Sequence, residues 1–380
     1  MDRRHLLRGG LAVGGLLGIP RSVYATEGGP NGALGRIRLS PPEVFRTTVC
    51  LRPFRAVGPR IETEAVGRKT VVHNYGHGGS GWSLSWGSAA EAIAIAMQSS
   101  PKKIAVIGAG ALGLTAALTA QRAGAEVTIY ARERFPFVRS ARATGTWTPD
   151  SRIAKTASVA ADFPERWERM ARTALSMHQS FIGQAGNPVE WIDSYLLRDP
   201  PPAVPEPDRE DPGFISLGDR IHATMPHGTA IDPAGLPFSV ADIRRGQTMA
   251  FNVADYSHQL ESDFLTAGGR IEHADFKTPS DLSRLKEHVI INCTGYGARA
   301  LWGDDSVVPV RGQIVWLTPQ DDVHYSVFYN GLNVVGRRDG IVVQETGPDD
   351  NFGWNDDNET ADPVAAQAAI DKLKTIYAAG

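Results

Sequence analysis

Gly108, Gly110 and Gly113 stand directly behind the apolar run Ile104-Ala105-Val106-Ile107. G-x-G-x-x-G is the spacing with which a strand-to-helix turn cradles a pyrophosphate. Gly108 permits the tight turn, Gly110 lets the backbone approach a phosphate, and Gly113 lets the helix pack closely on the strand. The phosphates would then face the helix N-terminus, where free N–H groups and the helix dipole favour an anion. Beyond the second strand, Arg132 stands where an acidic residue often holds the adenosine ribose, and Glu133 follows it. Arg132 is suited to the 2′-phosphate of NADP, and Glu133 to the ribose hydroxyls one position late. The turn by itself leaves FAD, NAD and NADP open.

The elements needed to hold this turn are present. Lys102 to Ile107 reads as a buried strand, Ala111 to Ala123 has helical spacing, and Ala125 to Tyr130 reads as a second strand. The glycines therefore fall inside a βαβ unit, which is the context dinucleotide binding requires.

Other reactive side chains show no comparable grouping. His73 and His77 are four apart, but four of the residues from Gly76 to Gly81 are glycine, so no helix presents them on one face and no metal is expected. Cys50 and Cys293 are the two cysteines, each within an apolar run. Both are predicted to be core residues, and no disulfide framework is expected. No Ser-His-Asp or paired-carboxylate motif stands out.

Five further segments have a joint pattern: Leu51-Arg52-Pro53-Phe54-Arg55, Val72-His73-Asn74-Tyr75-Gly76-His77-Gly78-Gly79-Ser80-Gly81-Trp82, Arg142 to Pro149, Ile291 to Gly295, and Pro309 to Ile314. Together they resemble the D-amino-acid oxidase family of FAD enzymes, across most of the chain from about Val49 to Glu345. The order differs from the family's, because the first two segments lie near the family's C-terminus and here precede the glycine turn. The chain reads as circularly permuted, which a fold tolerates when the joined ends are close in space. Ser83 to Ser99 would be the family's last helix, running straight into the first strand of the βαβ unit.

The resemblance implies FAD as cofactor and assigns roles. Gly78, Gly79, Ser80, Gly81, Trp82 and Ser83 match the flavin-contacting loop, and Thr144, Gly145 and Thr146 match a stretch that packs along the cofactor. Ala109, Leu112, Ser140 and Phe276 complete the expected cofactor set with Gly108, Gly110, Gly113, Arg132 and Glu133. Arg52 matches the arginine that binds the substrate carboxylate, a task for a planar bidentate donor. Gly79 matches the residue whose carbonyl receives the substrate amine. Tyr329, in Phe328-Tyr329-Asn330-Gly331, falls near the family's first active-site tyrosine, and Asn333 stands where a second would follow.

The implied reaction is oxidation of a D-amino acid with dioxygen, giving a keto acid, ammonia and hydrogen peroxide. Positioning over the flavin, with no general base, would carry the chemistry. The other readings are a flavin dehydrogenase for another small amine or imino acid, a non-catalytic FAD-binding protein, and an NADP-dependent reductase suggested by Arg132.

The formal charge of −3, with 39 basic against 42 acidic residues, offers no basic stripe for nucleic acid. Arg3-Arg4, a short apolar stretch from Leu11 to Ile19 and Val23-Tyr24-Ala25 have the layout of a twin-arginine signal peptide over residues 1–25. Export by machinery for folded proteins, to the periplasm or the exterior, is therefore expected, with no stable membrane span. The expected architecture is α/β. A Rossmann-type FAD-binding domain formed by residues 46–150 and 256–302 interleaves with a mixed or antiparallel-sheet substrate domain formed by 151–255 and 303–380. Pro-rich Asp199 to Pro212 reads as an irregular loop.

Overall fold

The computed structural model of the chain describes residues 34–40, 43–200 and 211–377. The expected signal segment and most of the Pro-rich loop lie outside them.

Short, contiguous apolar runs such as Ile104–Ile107 and Val289–Ile291 can be buried on both faces, the condition for a parallel sheet. They form the middle of a six-stranded sheet. Its order is β2 (Thr63–Val66), β3 (Lys69–His73), β10 (Val289–Asn292), β4 (Lys103–Ile107), β5 (Glu126–Ala131), β9 (Arg270–His273). All neighbours are parallel except β2 and β3, which pair antiparallel. One face is covered by α1 (Gly81–Ala96), α2 (Ala111–Arg122), α3 (Phe163–Gln179) and α4 (Val253–Thr266), whose buried side chains share a single core with Val72, Ile104, Val106 and Ile291. The opposite face is closed by Leu282 and Leu285 against Val71, Ala105 and Ile290.

The second sheet has eight strands. Its order is β1 (Val44–Phe54), β11 (Val308–Leu317), β14 (Gly340–Glu345), β13 (Leu332–Arg337), β12 (Tyr325–Tyr329), β6 (Val189–Arg198), β8 (Asp242–Phe251), β7 (Thr229–Ile231). It is mixed, because β12 and β6 run parallel while the remaining neighbours are antiparallel. One face packs under α6 (Pro363–Thr375): Ile370, Leu373 and Ile376 bury against Val315, Leu317, Val327 and Val343. Each such aliphatic side chain contributes about 1.5–3 kcal/mol when fully buried. The other face looks toward the six-stranded sheet, and the site lies between them.

The α/β architecture with two interleaved units agrees with the expectation from sequence. Two elements depart from the expected partition. β1 belongs to the eight-stranded sheet, paired along its length with β11, although the cofactor piece was expected to open at Arg46. α4 begins at Val253 and packs beside α2, three residues ahead of the expected boundary at Tyr256. β1 alternates faces and so pairs as a half-exposed strand, which its apolar residues alone do not reveal.

Candidate active site

The glycine turn joins β4 to α2, and each glycine meets a steric demand. Gly108 has φ +101°, and a Cβ there would lie 2.6 Å from the carbonyl oxygen of Cys293. At Gly110 a Cβ would be 2.9 Å from the Ser140 hydroxyl, and at Gly113 it would collide with the carbonyl of Gly108. The first turn of α2 has no side-chain cap and no acidic residue. One of its amides, Ala111 N–H, donates to Ser140 Oγ at 3.2 Å. Gly108, Ala109, Gly110 and Leu112 line a cavity of about 370 Å³ that runs from this turn to the eight-stranded sheet. Arg132, Glu133 and Phe276 line the same end, with Arg132 and Glu133 exposed and 3.7 Å apart. Gly113 is off the cavity wall: it brings α2 against β4, the packing role its place in the turn implies.

At the other end the cavity meets Gly78, Gly79, Gly81, Trp82 and Ser83, where α1 begins. This helix too starts without a side-chain cap or an acidic first turn, so two bare helix N-termini face one cavity. Gly78 has φ +53°, and a Cβ would collide with the backbone of Arg152. The amide of Gly79 donates to Ser151 O at 2.9 Å, which turns the N–H away and leaves its carbonyl with no donor among the described residues. Ser80, expected to touch the cofactor, is instead buried with its hydroxyl donating to Ser151 O at 3.1 Å. As the residue before the helix, it is turned inward to brace the loop.

Behind α1 lies a buried polar chain. His178 Nε2 meets the carbonyls of Trp82 and Ser83, both at 3.2 Å, and its Nδ1 is 2.8 Å from the Tyr256 hydroxyl, which accepts from Trp86 Nε1 at 2.8 Å. Carbonyls only accept, so Nε2 carries the proton and Nδ1 accepts from Tyr256. Burial pushes His178 down to about 4 and keeps it neutral.

The roof comes from the eight-stranded sheet. Cys50 and Arg52 on β1, Asn333 on β13, Gln344 at the end of β14 and Thr346 beyond it all line the cavity. The Arg52 guanidinium makes one protein hydrogen bond, to Arg311 O at 3.4 Å, and no carboxylate lies within 4.0 Å of it among the described residues. Burial, with Arg152 nearby, lowers it to about 10, so it remains cationic at neutral pH. Arg152 also lines the cavity, held by Asp350 through a 3.2 Å ion pair and a 2.7 Å bond to the Asp350 carbonyl. Thr144, Gly145 and Thr146 form one side wall, with Thr144 donating to Gln344.

Tyr329 does not reach this cavity. It pairs with Leu332 across a two-residue turn in which Asn330 and Gly331 both have positive φ. Opposite partners in an antiparallel pair share a face, so Tyr329 lies with Leu332 on the α6 side and its hydroxyl donates to Asp199 at 2.7 Å. The opposite face is taken by the neighbouring pair, of which Asn333 lines the cavity and Phe328 is exposed outside it. Cys50 is likewise not a core residue: it is half-buried on the cavity, and both cysteines are free thiols. Ser151, Arg152, Gln344 and Thr346 escaped sequence reasoning. Only Gln344 left a signal, a lone amide closing the apolar run Ile341-Val342-Val343.

Residues 103–379 match the family described as FAD dependent oxidoreductase. The chain belongs to that family. The matched span opens at β4, so Arg52 and the Gly78–Ser83 loop precede it. Among curated relatives, the D-amino-acid oxidase of Streptomyces coelicolor is 26% identical over 284 residues, 70% of this chain and 77% of that one. The D-aspartate oxidase of Talaromyces thermophilus is 27% identical over 246 residues, 58% of this chain and 63% of that one. A D-amino-acid oxidase of Dictyostelium discoideum is 52% identical over 62 residues, 16% and 18% of the two chains. Among solved structures, an L-amino acid deaminase from Proteus vulgaris aligns with TM-score 0.46 at 13% identity, covering 73% of this chain and 75% of that one.

FAD is the cofactor of this oxidoreductase, and the cavity fits it. The bare N-terminus of α2 suits a pyrophosphate. Glu133, Ser140, Gly79 and Arg52 all line this one cavity, and its residues would hold an extended dinucleotide.

Proposed function

We propose that this flavoenzyme oxidises D-amino acids, with dioxygen as electron acceptor. The observation that carries the reading is Arg52, a cation on the cavity roof with no carboxylate partner among the described residues, facing a cavity that also holds Gly79. A guanidinium in a water-poor cleft binds a carboxylate with two parallel charge-assisted bonds. The Gly79 carbonyl accepts an N–H of the substrate amine. Two such anchors on one α-carbon fix which of its faces meets the cofactor, and so fix the enantiomer. The substrate side chain extends toward Asn333, an amide on the cavity wall.

FAD, when bound, accepts the two electrons removed from the substrate Cα–N unit and passes them to dioxygen. The resulting imino acid takes up water to give a keto acid and ammonia. Arg52, Gly79 and the wall residues orient and exclude water, and none of them transfers a proton. Arg3-Arg4 supports export in the folded, cofactor-loaded state; cell fractionation after Arg3→Lys with Arg4→Lys tests this.

The activity is tested anaerobically. D-amino acids are expected to bleach the oxidised flavin band, air to restore it with release of peroxide, and Arg52→Ala to abolish the bleaching. Bleaching that air does not reverse would assign the electrons to another acceptor. No bleaching by any D-amino acid would sink the proposal.

A further inference from the structure

Arg337 is almost wholly buried, and each arm of its guanidinium is used. Nε and Nη2 grip the two oxygens of Asp339, and Nη1 donates to the carbonyls of Ala143 at 2.8 Å and Thr144 at 3.2 Å. The Trp316 ring is shared by Arg337 and Arg46, with their Cζ atoms 5.0 and 4.6 Å from its centroid. Asp339 in turn accepts the amide of Ala254 in the first turn of α4 at 2.9 Å. The adjacent Arg338 serves elsewhere, on Glu190 and Asn252. Only Arg337 of the pair reaches the wall of the site.

That wall is the strip Ala143–Thr146, which lines the cavity on its front. A trans peptide sets its N–H opposite its C=O. With the carbonyls of Ala143 and Thr144 turned to Arg337, the N–H groups of Thr144 and Gly145 point the opposite way, and neither donates to another described residue. The strip is also squeezed from its other side. Gly145 has φ +81°, and a Cβ there would lie 2.6 Å from Phe251 O and 2.8 Å from Arg337 Nη1. Its carbonyl accepts from Phe251 N–H at 2.8 Å, and Trp147 N–H donates to Met249 O at 2.9 Å. β8 therefore fixes the end of the strip, while Arg337 sets the rotation of its two leading peptides.

We propose that Arg337 is a positioning residue for the cofactor, aiming the Thr144 and Gly145 amides as a pair of donors at acceptor atoms of bound FAD. A guanidinium suits the task because Nη1 can serve both carbonyls while Nε and Nη2 of the same rigid plane hold Asp339, whereas an ammonium has a single nitrogen for all of these contacts. Its bidentate grip on Asp339 stops the plane from turning.

The test compares R337M, R337K and D339N holoenzymes by FAD dissociation constant, visible absorption bands of the bound flavin, and melting temperature. R337M is expected to weaken FAD binding about tenfold, the loss of roughly one charge-assisted contact, and to move the bands toward those of free flavin. R337K falls between R337M and the unaltered chain. D339N leaves the carbonyl contacts available and lowers the melting temperature more than it changes FAD binding. A lowered melting temperature with unchanged FAD affinity and unchanged bands in either Arg337 variant would overturn the proposal, leaving a brace between sheet and helix. Where R337M does not fold, R337K alone decides, by the same two cofactor readouts.

Discussion

The guanidinium of Arg52 lies on the bare α-carbon of Gly312, two strand-paired elements meeting where any side chain would intrude: a Cβ at Gly312 would stand 2.7 Å from Arg52 Cζ. Gly312 pairs with Cys50 on the neighbouring strand, so both residues present this spot to the cavity face. Gly312→Ala is expected to displace the guanidinium and raise KM for the amino acid about tenfold, because a charge-assisted bond is lost. The flavin spectrum should not change. Steady-state oxygen uptake checks it, and an unaltered KM would show that Arg52 does not hold the carboxylate.

Gly113→Ala should fail at a different step. The added Cβ collides with the Gly108 carbonyl, so α2 must lift from β4 and the phosphate turn opens. The variant is expected to purify without a bound flavin band. A yellow, fully loaded protein would refute the packing role of Gly113.

Tyr329→Phe is expected to leave turnover and substrate preference unchanged, since the ring lies on the α6 face and its exposed bond to Asp199 is worth no more than about 0.5 kcal/mol. Asn333→Leu, on the cavity face, should shift preference toward apolar side chains while FAD binding holds. Rates with a panel of D-amino acids compare the two. An effect at Tyr329 and none at Asn333 would reverse the assignment of faces.

Acid should destabilise the fold well before carboxylates titrate. Burial holds His178 at about 4 and His77 at about 3, below the ordinary 6.5, and lowers His73 to about 4. A depressed folded pKa means that the unfolded chain binds more protons, so stability is complete above pH 6.5 and falls as pH drops toward 4. For His178 alone the loss is on the order of 3 kcal/mol. Urea midpoints measured from pH 7.5 to 4.5 should fall. A flat profile would mean that these histidines are solvated.

The phosphate turn was legible because its spacing is local. Gly108, Gly110 and Gly113 stand out by their interval, and the apolar runs on either side announce the strands that carry them, although the atoms that crowd Gly108 and Gly110 belong to Cys293 and Ser140, distant in the chain. Arg52 and Gly79 were singled out by whole motifs, and both line the same cavity. Tyr329 was misplaced by one residue for a physical reason. The side-chain period of a strand is two, so a shift of one in reading a hairpin moves a residue to the opposite face, and the Asn330-Gly331 turn that sets the register acts only once its partner strand is found. Cys50 went the same way, apolar by neighbourhood yet facing the cleft.

The sequence by itself determined the βαβ unit, the FAD-type cofactor and the candidate carboxylate anchor, because each rests on short-range sterics or on a contiguous motif. The tertiary structure alone decided which strands share a sheet, which face of each strand meets the site, and that Arg337 reaches back 193 residues to hold the carbonyl of Thr144. Those choices depend on register and on contacts between segments far apart in the chain, whose partners local spacing does not encode.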